Sequence, residues 1–200
     1  FRNFLELTMQ LSMVPMALGF ALFLSWVISA GKGGDHKWLT LLSKGTMLLT
    51  GASFLLGCTA MVLRYIEVQH WPAQTMYEVI PLGVCAAYLS TIALYYVLGL
   101  NRRVGIARAF GDLFVALIMV GGVFTLQYVL NLDPTGKALP PALQSYWFST
   151  HITAYMIGYF TLIIAALAAW LHLCFQFWLQ VIRRQESRLA IKIGVPVLAL

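Results

Sequence analysis

Residues 113–132 read LFVALIMVGGVFTLQYVLNL, an apolar stretch without a charged side chain. About 20 such residues are needed for a helix to cross the hydrocarbon core of a bilayer. Lipid offers the backbone no hydrogen-bond partners, so an uninterrupted helix is required, and no strand-like alternation of polar and apolar residues is present. We therefore predict a transmembrane helix here.

Four more charge-free windows accompany this stretch. Three of them fit one crossing each and cover residues 7–31, 45–63 and 79–101. The fourth, 138–182, begins with ALPPALQSYWFS, whose adjacent prolines indicate an interfacial loop, so its span is placed at roughly residues 150–173. The apolar residues 191–200 are about half a crossing long. The predicted fold class is all-α, a polytopic transmembrane helix bundle with five spans plus the start of a sixth.

The composition is also typical of a membrane protein. Of the 200 residues, 60% are hydrophobic and only 10% are charged, and the mean hydropathy is +0.82. So few charges do not cover a water-facing surface of this size, which excludes a soluble enzyme. Cys58, Cys85 and Cys174 are far apart and form no CxxC pair, so a dithiol redox motif, a zinc knuckle and a covalent haem attachment site within this chain are unsupported.

The basic residues separate onto two sides of the predicted bundle. Ten of the thirteen lie between spans one and two, between spans three and four, or after span five: Lys32, Lys37, Lys44, Arg102, Arg103, Arg108, Arg183, Arg184, Arg188 and Lys192. Because Lys and Arg are retained in the cytoplasm during insertion, the N-terminus and the loops at 64–78 and 133–149 are predicted to face outward. The net charge of +6 is therefore an orientation signal, and no nucleic-acid partner is predicted.

The outward loop after span two concentrates polar and aromatic side chains at one membrane surface. Its sequence is LRYIEVQHWPAQTMYEVI, and the candidate binding residues in it are Arg64, His70 and Trp71. One interpretation is a ligand site. The alternative is that Arg64 and Glu78 end their helices at headgroup level, while Trp71 and Tyr77 belong to an aromatic belt.

The second outward loop leads into span five and places His151 in its first turns. Trp147 and His151 are four residues apart and so share a helix face, which Tyr155 and Gly158 continue inward. This face carries an aromatic ring beside an imidazole and then a small residue. Such a face would suit a flat macrocycle whose iron takes an axial histidine. The alternative is an interfacial histidine hydrogen-bonded to a headgroup or water.

The other histidines and the acidic residues give weaker signals. His172 lies about 30 Å from His151 along the same helix, so the two cannot share one iron. His36, in a glycine-rich basic loop, is interpreted as solvent-facing. Every Asp and Glu is expected in a terminus, in a loop or at a helix end, which argues against a relay of buried acids. The sequence also lacks HExxH, Walker and GxSxG motifs.

Three stretches together resemble a known family. RYIEVQHWPAQTMYE (64–78), LPPALQSYWFSTHITAYMIGYF (139–160) and ESRLAIKIGVPVLAL (186–200) are similar, in this order, to segments of CcsA, the haem-handling membrane subunit of the System II cytochrome c synthetase. The resemblance covers about residues 60–200. The family's tryptophan-rich WGxxWxWD motif follows the span that stops here at Leu200, so we expect residues 1–200 to be a single transmembrane haem-handling domain of a longer polypeptide.

The resemblance implies a function and a set of ligands. Haem b would be presented at the outer face to the CXXCH motif of an apocytochrome c, with thioether bonds formed to its vinyl groups. His151 aligns with an axial ligand of the haem iron, Trp147 and Tyr155 would lie beside the haem, and Arg64 could offset a propionate. The second axial ligand is expected beyond Leu200.

The resemblance also implies partners and a location. The partners would be a CcsB/ResB-type membrane subunit, separate or fused, the apocytochrome and membrane lipid. The location would be the bacterial inner membrane or the thylakoid. Two alternatives stay open, namely a b-type haem anchor that transfers electrons, for which His70 would pair with His151, and a non-haem membrane interaction subunit.

Overall fold

The computed structural model describes residues 1–29, 37–103, 105–135 and 145–197; of Tyr146 and residues 182–197 it describes the backbone. These residues form five α-helices and one 3-10 turn at Leu100–Arg102. The helices are α1 (Arg2–Ser29), α2 (Lys37–Val68), α3 (Met76–Val97), α4 (Ile106–Leu130) and α5 (Tyr146–Val197). Each contains a stretch long and apolar enough to cross a membrane. The prediction of an all-α bundle with five spans is confirmed.

The core of the bundle lies around α4. This helix packs against α1 most extensively and also contacts α3, while α2 contacts α1 and α3. Its inward face carries Val115, Met119, Leu126 and Val129, all of them buried. In lipid, burial of apolar side chains brings little hydrophobic gain, so such helices associate through close packing and interhelical hydrogen bonds.

Small residues allow that close packing at two points. A Cβ atom at Gly19 in α1 would lie 2.9 Å from the Cβ of Ala116 in α4. A Cβ at Gly122 would overlap the hydroxyl of Tyr88 in α3, which donates a hydrogen bond to Ser12 Oγ in α1 at 2.9 Å. The absence of a side chain at Gly122 therefore lets one hydrogen bond join α1 and α3 beside α4.

Helices α1 to α4 each begin before the corresponding charge-free window. In particular, α4 begins at Ile106, so Arg108 and Asp112 lie within it, and both are buried. The expectation that every acid lies outside the spans or at their ends is wrong for Asp112. A charge-based window stops at every ionisable residue, whereas the structure buries this acid beside Arg108 and two hydrogen-bond donors, Trp26 and Ser43.

Helix α5 differs from the others in its length and its surroundings. It runs without a break to Val197, so the residues assigned to the start of a sixth span continue the same helix as far as that residue. Its main contacts are with α3, and it packs more lightly against α4. Between Trp147 and Val181 most of its surface is exposed. Helix α5 therefore presents long faces that the rest of the described chain does not cover.

A candidate binding groove on α5

The first turn of α5 is fixed by Ser145. Its Oγ accepts a hydrogen bond from the backbone N–H of Trp147 at 3.3 Å, and its carbonyl accepts one from Phe148 at 3.0 Å. A serine hydroxyl that binds the free N–H groups of a first turn is a common helix N-cap. The helix thus begins early enough to carry Trp147 and, one turn later, His151.

His151 lies at one end of a shallow groove of about 360 Å³ along α5. The groove is lined by residues at helical spacing on a single face: His151, Ala154, Tyr155, Gly158, Tyr159 and Leu162. The centroid of the imidazole lies 4.2 Å from that of the Tyr155 ring, edge to face, and the Tyr155 and Tyr159 rings stack at 5.9 Å. A Cβ at Gly158 would meet no atom within 4 Å, so the floor of the groove is open.

Three features of the groove bear on the haem predicted from the sequence. The imidazole of His151 is exposed and lies against the Tyr155 ring. The tyrosine rings and Leu162 supply flat and apolar surface next to it. Trp147 lies one turn before His151 and is 77% exposed, beyond the residues that line the groove. Residues His151 and Tyr155 thus fit an iron-bound macrocycle.

The loop between α2 and α3 contacts α5 on a face that does not carry the groove of His151. Gln69 directly follows α2 and has a left-handed φ of 56°, and the Nδ1 atom of His70 is hydrogen-bonded to the Trp71 carbonyl at 3.0 Å. The indole N–H of Trp71 donates to Thr153 Oγ1 at 2.8 Å. Since Thr153 is two residues from His151, it lies on a different face of α5. Trp71 therefore anchors the helix while the groove of His151 faces away from the loop.

Arg64 joins three separate segments on the predicted outward side. Its Nε donates to Glu78 at 3.0 Å and its Nη1 to Glu67 at 3.3 Å, and its Nη2 donates to the Pro134 carbonyl at 3.3 Å. Arg64 and Glu78 are buried, whereas the Glu67 side chain is 57% exposed. The pair of Arg64 with Glu78 connects α2 to the first turn of α3, which requires both charges to stay paired.

A second buried ionic cluster lies at the other end of the bundle and was not foreseen from the sequence. Asp112 accepts hydrogen bonds from Trp26 Nε1 at 3.1 Å and from Ser43 Oγ, and it lies 3.9 Å from Arg108 Nε. The guanidinium of Arg108 also lies 5.3 Å from the Tyr95 ring centre. These contacts tie α1, α2, α3 and α4 together. A sequence signal did exist, because Arg108 and Asp112 are four residues apart, the spacing of a helical ion pair.

The described residues contain no group of three or more His, Cys, Asp or Glu side chains that could hold a metal ion by themselves. A metal at His151 would therefore have to arrive within a larger cofactor or take further ligands from elsewhere. His36 lies outside the described residues.

The five long, apolar helices identify this chain as an integral membrane protein of the helical-bundle class. The family of cytochrome C assembly proteins matches residues 8–200. The chain belongs to that family, which confirms the resemblance seen in its three sequence stretches. No solved structure matches it.

Three similar proteins carry the name cytochrome c biogenesis protein CcsA. The protein from Cyanophora paradoxa is 26% identical over 171 residues, which cover 85% of this chain and 50% of the relative. Those from Adiantum capillus-veneris and Chlamydomonas reinhardtii are 30% and 27% identical over 114 and 127 residues, or 56% and 63% of this chain. These two alignments cover 34% and 35% of the relatives. The chain thus spans half or less of their length.

Proposed function

We propose that this chain binds haem b in the membrane and presents it at the outer face for attachment to apocytochrome c. The observation that carries the proposal is the groove on α5, in which an exposed imidazole is followed by two stacked tyrosine rings. Membership of the cytochrome c assembly family supplies the context. When bound there, haem would supply the vinyl groups that become thioether bonds to a CXXCH motif.

The protein's own residues would position this ligand. His151 would coordinate the iron, and its edge contact with Tyr155 would limit rotation of the imidazole ring. Tyr159 and Leu162 cover apolar ring surface, and Trp147 extends that surface by one helical turn. Because the groove is shallow and lies on an uncovered face, one side of the ligand stays accessible to a second protein. Presentation to a partner requires that access.

Arg64, His70 and Trp71 complete the proposed outward surface in different ways. Arg64 would pair with a haem propionate in place of the exposed carboxylate of Glu67, while the buried Glu78 would stay paired with the guanidinium. His70 lies beside Trp71 in the loop, and Trp71 fixes the position of α5. Trp71 would thus position the helix that carries His151, Arg64 would meet a propionate that extends to the outward surface, and His151 would bind the iron.

The distribution of basic residues supports an orientation in which this surface faces the periplasm or the corresponding outer compartment. The membrane is then the bacterial inner membrane or the thylakoid membrane. The partners are an apocytochrome c and a CcsB/ResB-type subunit. The uncovered length of α5 supports such a subunit, because a face of this size has room for further helices.

A maturation assay tests the proposal in cells whose c-type cytochromes depend on this protein. His151→Ala should abolish covalent haem in a reporter cytochrome c, and imidazole in the medium should restore part of it by replacing the missing ligand. His36→Ala is the matched control, because it removes a histidine that the sequence places in a basic loop on the opposite side. Wild-type maturation in His151→Ala would refute the proposal.

The same cells distinguish the electron-transfer alternative. A b-type anchor ligated by His70 and His151 would lose its reduced haem spectrum in either single variant while the reporter still received haem. Loss of maturation in His151→Ala, with the spectrum of His70→Ala preserved, supports haem presentation instead.

A further inference from the structure

A second cavity, of about 410 Å³, lies at the opposite end of α5. It opens between the turn that joins α3 to α4, the first turns of α4, and the second half of α5. Its wall includes Leu98, Arg103, Phe110, Ala168, His172 and Phe175. His151 and His172 are 21 residues apart on one helix, roughly 30 Å, so this cavity is separate from the groove proposed for haem.

The interior of the cavity is lined mainly by apolar side chains. The rings of Phe110 and Phe175 approach to 5.4 Å and bridge α4 to α5 at this level. Gly111 widens the space, because a Cβ there would come within ordinary contact distance, 3.4 Å, of Leu100. Because α5 packs only lightly against α4, an unfilled gap here would leave side chains without contacts. An acyl chain would supply those contacts.

The rim of the cavity is polar and basic. Arg103 and His172 are exposed lining residues, and Arg102, the last residue of the 3-10 turn, precedes Arg103. Just behind the wall, the buried Arg108 donates from Nη1 to the carbonyl of Leu100. Its Nη2 atom has no hydrogen-bond partner in the part of the chain that the structure describes. Among the side chains that the structure describes here, Arg102, Arg103 and Arg108 therefore outnumber the carboxylate of Asp112.

We propose that this cavity is a binding site for an anionic phospholipid. One acyl chain lies against Phe110 and Phe175, the phosphate pairs with Arg103, and His172 hydrogen-bonds the headgroup. A phosphodiester keeps its charge at any neutral pH and matches the planar donors of a guanidinium. Basic cavities between transmembrane helices are known to suit anionic headgroups. The lipid would fill the gap beside α5 and fix the helix at the end remote from His151.

Lipid binding to the delipidated protein in detergent tests this site, for example by native mass spectrometry. The probes are dioleoyl phosphatidylglycerol and dioleoyl phosphatidylcholine, which differ in net charge. Wild-type protein should prefer phosphatidylglycerol. Arg103→Gln should weaken that binding roughly tenfold or more, since hydrogen bonds to a charged group are among the stronger ones. Arg102→Gln is the matched control, because it removes the neighbouring charge without touching the cavity, and it should retain most of the affinity.

Two further arms address the apolar part and the competing ligand. Ala168→Phe should fill the cavity from α5 and lower phosphatidylglycerol binding while both arginines stay in place. Equal affinity for the two lipids, or equal losses in Arg102→Gln and Arg103→Gln, would overturn the proposal in favour of a nonspecific basic surface. Displacement of the lipid by haemin, with an absorption change that His172→Ala removes, would overturn it in favour of a second macrocycle site.

Discussion

Trp71 and Thr153 are joined by a hydrogen bond of 2.8 Å from the indole N–H to the threonine hydroxyl. Trp71 lies in the loop between α2 and α3, and Thr153 lies two residues after His151 on α5. The contact connects the two stretches that the sequence singles out separately. It means that the loop acts on the proposed haem site through the position of α5, from the face that does not carry the groove.

Trp71→Phe should lower the free energy of unfolding by about 1 kcal/mol, because it removes one hydrogen bond and retains an aromatic ring. Unfolding in mixed detergent micelles measures this loss. Thr153→Val removes the other partner, and the double variant should cost less than the sum of the two single ones. Trp170→Phe is the control, since Trp170 is 60% exposed on α5. Strict additivity in the double variant would show that the contact carries no energy.

Glu78→Gln should be far more harmful than Glu67→Gln, although both remove a carboxylate from Arg64. Glu78 is buried, and its loss leaves the buried Arg64 with only the exposed carboxylate of Glu67, at a cost approaching the roughly 3–5 kcal/mol of a broken buried pair. The Glu67 side chain is 57% exposed, and its pair with Arg64 should contribute less than about 1 kcal/mol. The two variants can be compared by thermal unfolding in one detergent. Similar losses would contradict the structural role of the pair with Glu78.

Gly122→Ala should destabilise the bundle by about 1–3 kcal/mol, because the new methyl group would overlap Tyr88 and displace its hydrogen bond to Ser12. Gly121→Ala is the neighbouring control. A Cβ there meets nothing within 4 Å, so it should be neutral or stabilising through its higher helix propensity. Thermal melting of both variants decides the point, and equal behaviour would mean that α3 and α4 do not approach as described.

Asp112→Asn should destabilise the protein by about 3–5 kcal/mol, since Arg108 would keep its charge in a buried site without a carboxylate. The double variant Arg108→Met with Asp112→Leu should recover most of that loss, because both charges are removed together. Chemical unfolding in micelles measures the two. If the double variant is as unstable as Asp112→Asn, the hydrogen bonds of Asp112 to Trp26 and Ser43 matter more than the charge pair.

The five spans follow from sequence because each charge-free run is long enough for one crossing, and 20 apolar residues have few other stable states in lipid. Their ends do not follow. The window at 113–132 excludes Asp112, yet α4 begins at Ile106 and buries this residue. A hydropathy window counts the free-energy cost of burying an unpaired charge. The carboxylate of Asp112 is instead stabilised by hydrogen bonds from Trp26 and Ser43, which are more than 60 residues away in sequence.

In the candidate site, too, contacts within one helix could be predicted from the sequence, whereas contacts between distant segments could not. Helical spacing alone puts Tyr155 and Gly158 on the face of His151, and the structure places all three along one groove. Spacing could not indicate that Arg64 is bound to Glu78, Glu67 and the Pro134 carbonyl, since these partners depend on how three segments meet. The role of each residue toward a haem remains a prediction.

The most direct test of the haem proposal is a titration of the purified protein with haemin, followed by the absorption spectrum of the reduced complex. The wild-type protein and His36→Ala should bind haem with the same affinity and show the spectrum of a histidine-ligated iron. His151→Ala should bind at least about tenfold more weakly, because an iron–ligand bond exceeds the roughly 1.4 kcal/mol that this ratio represents. Added imidazole should restore the spectrum. An unchanged affinity and spectrum in His151→Ala would contradict the assignment of His151 as the axial ligand.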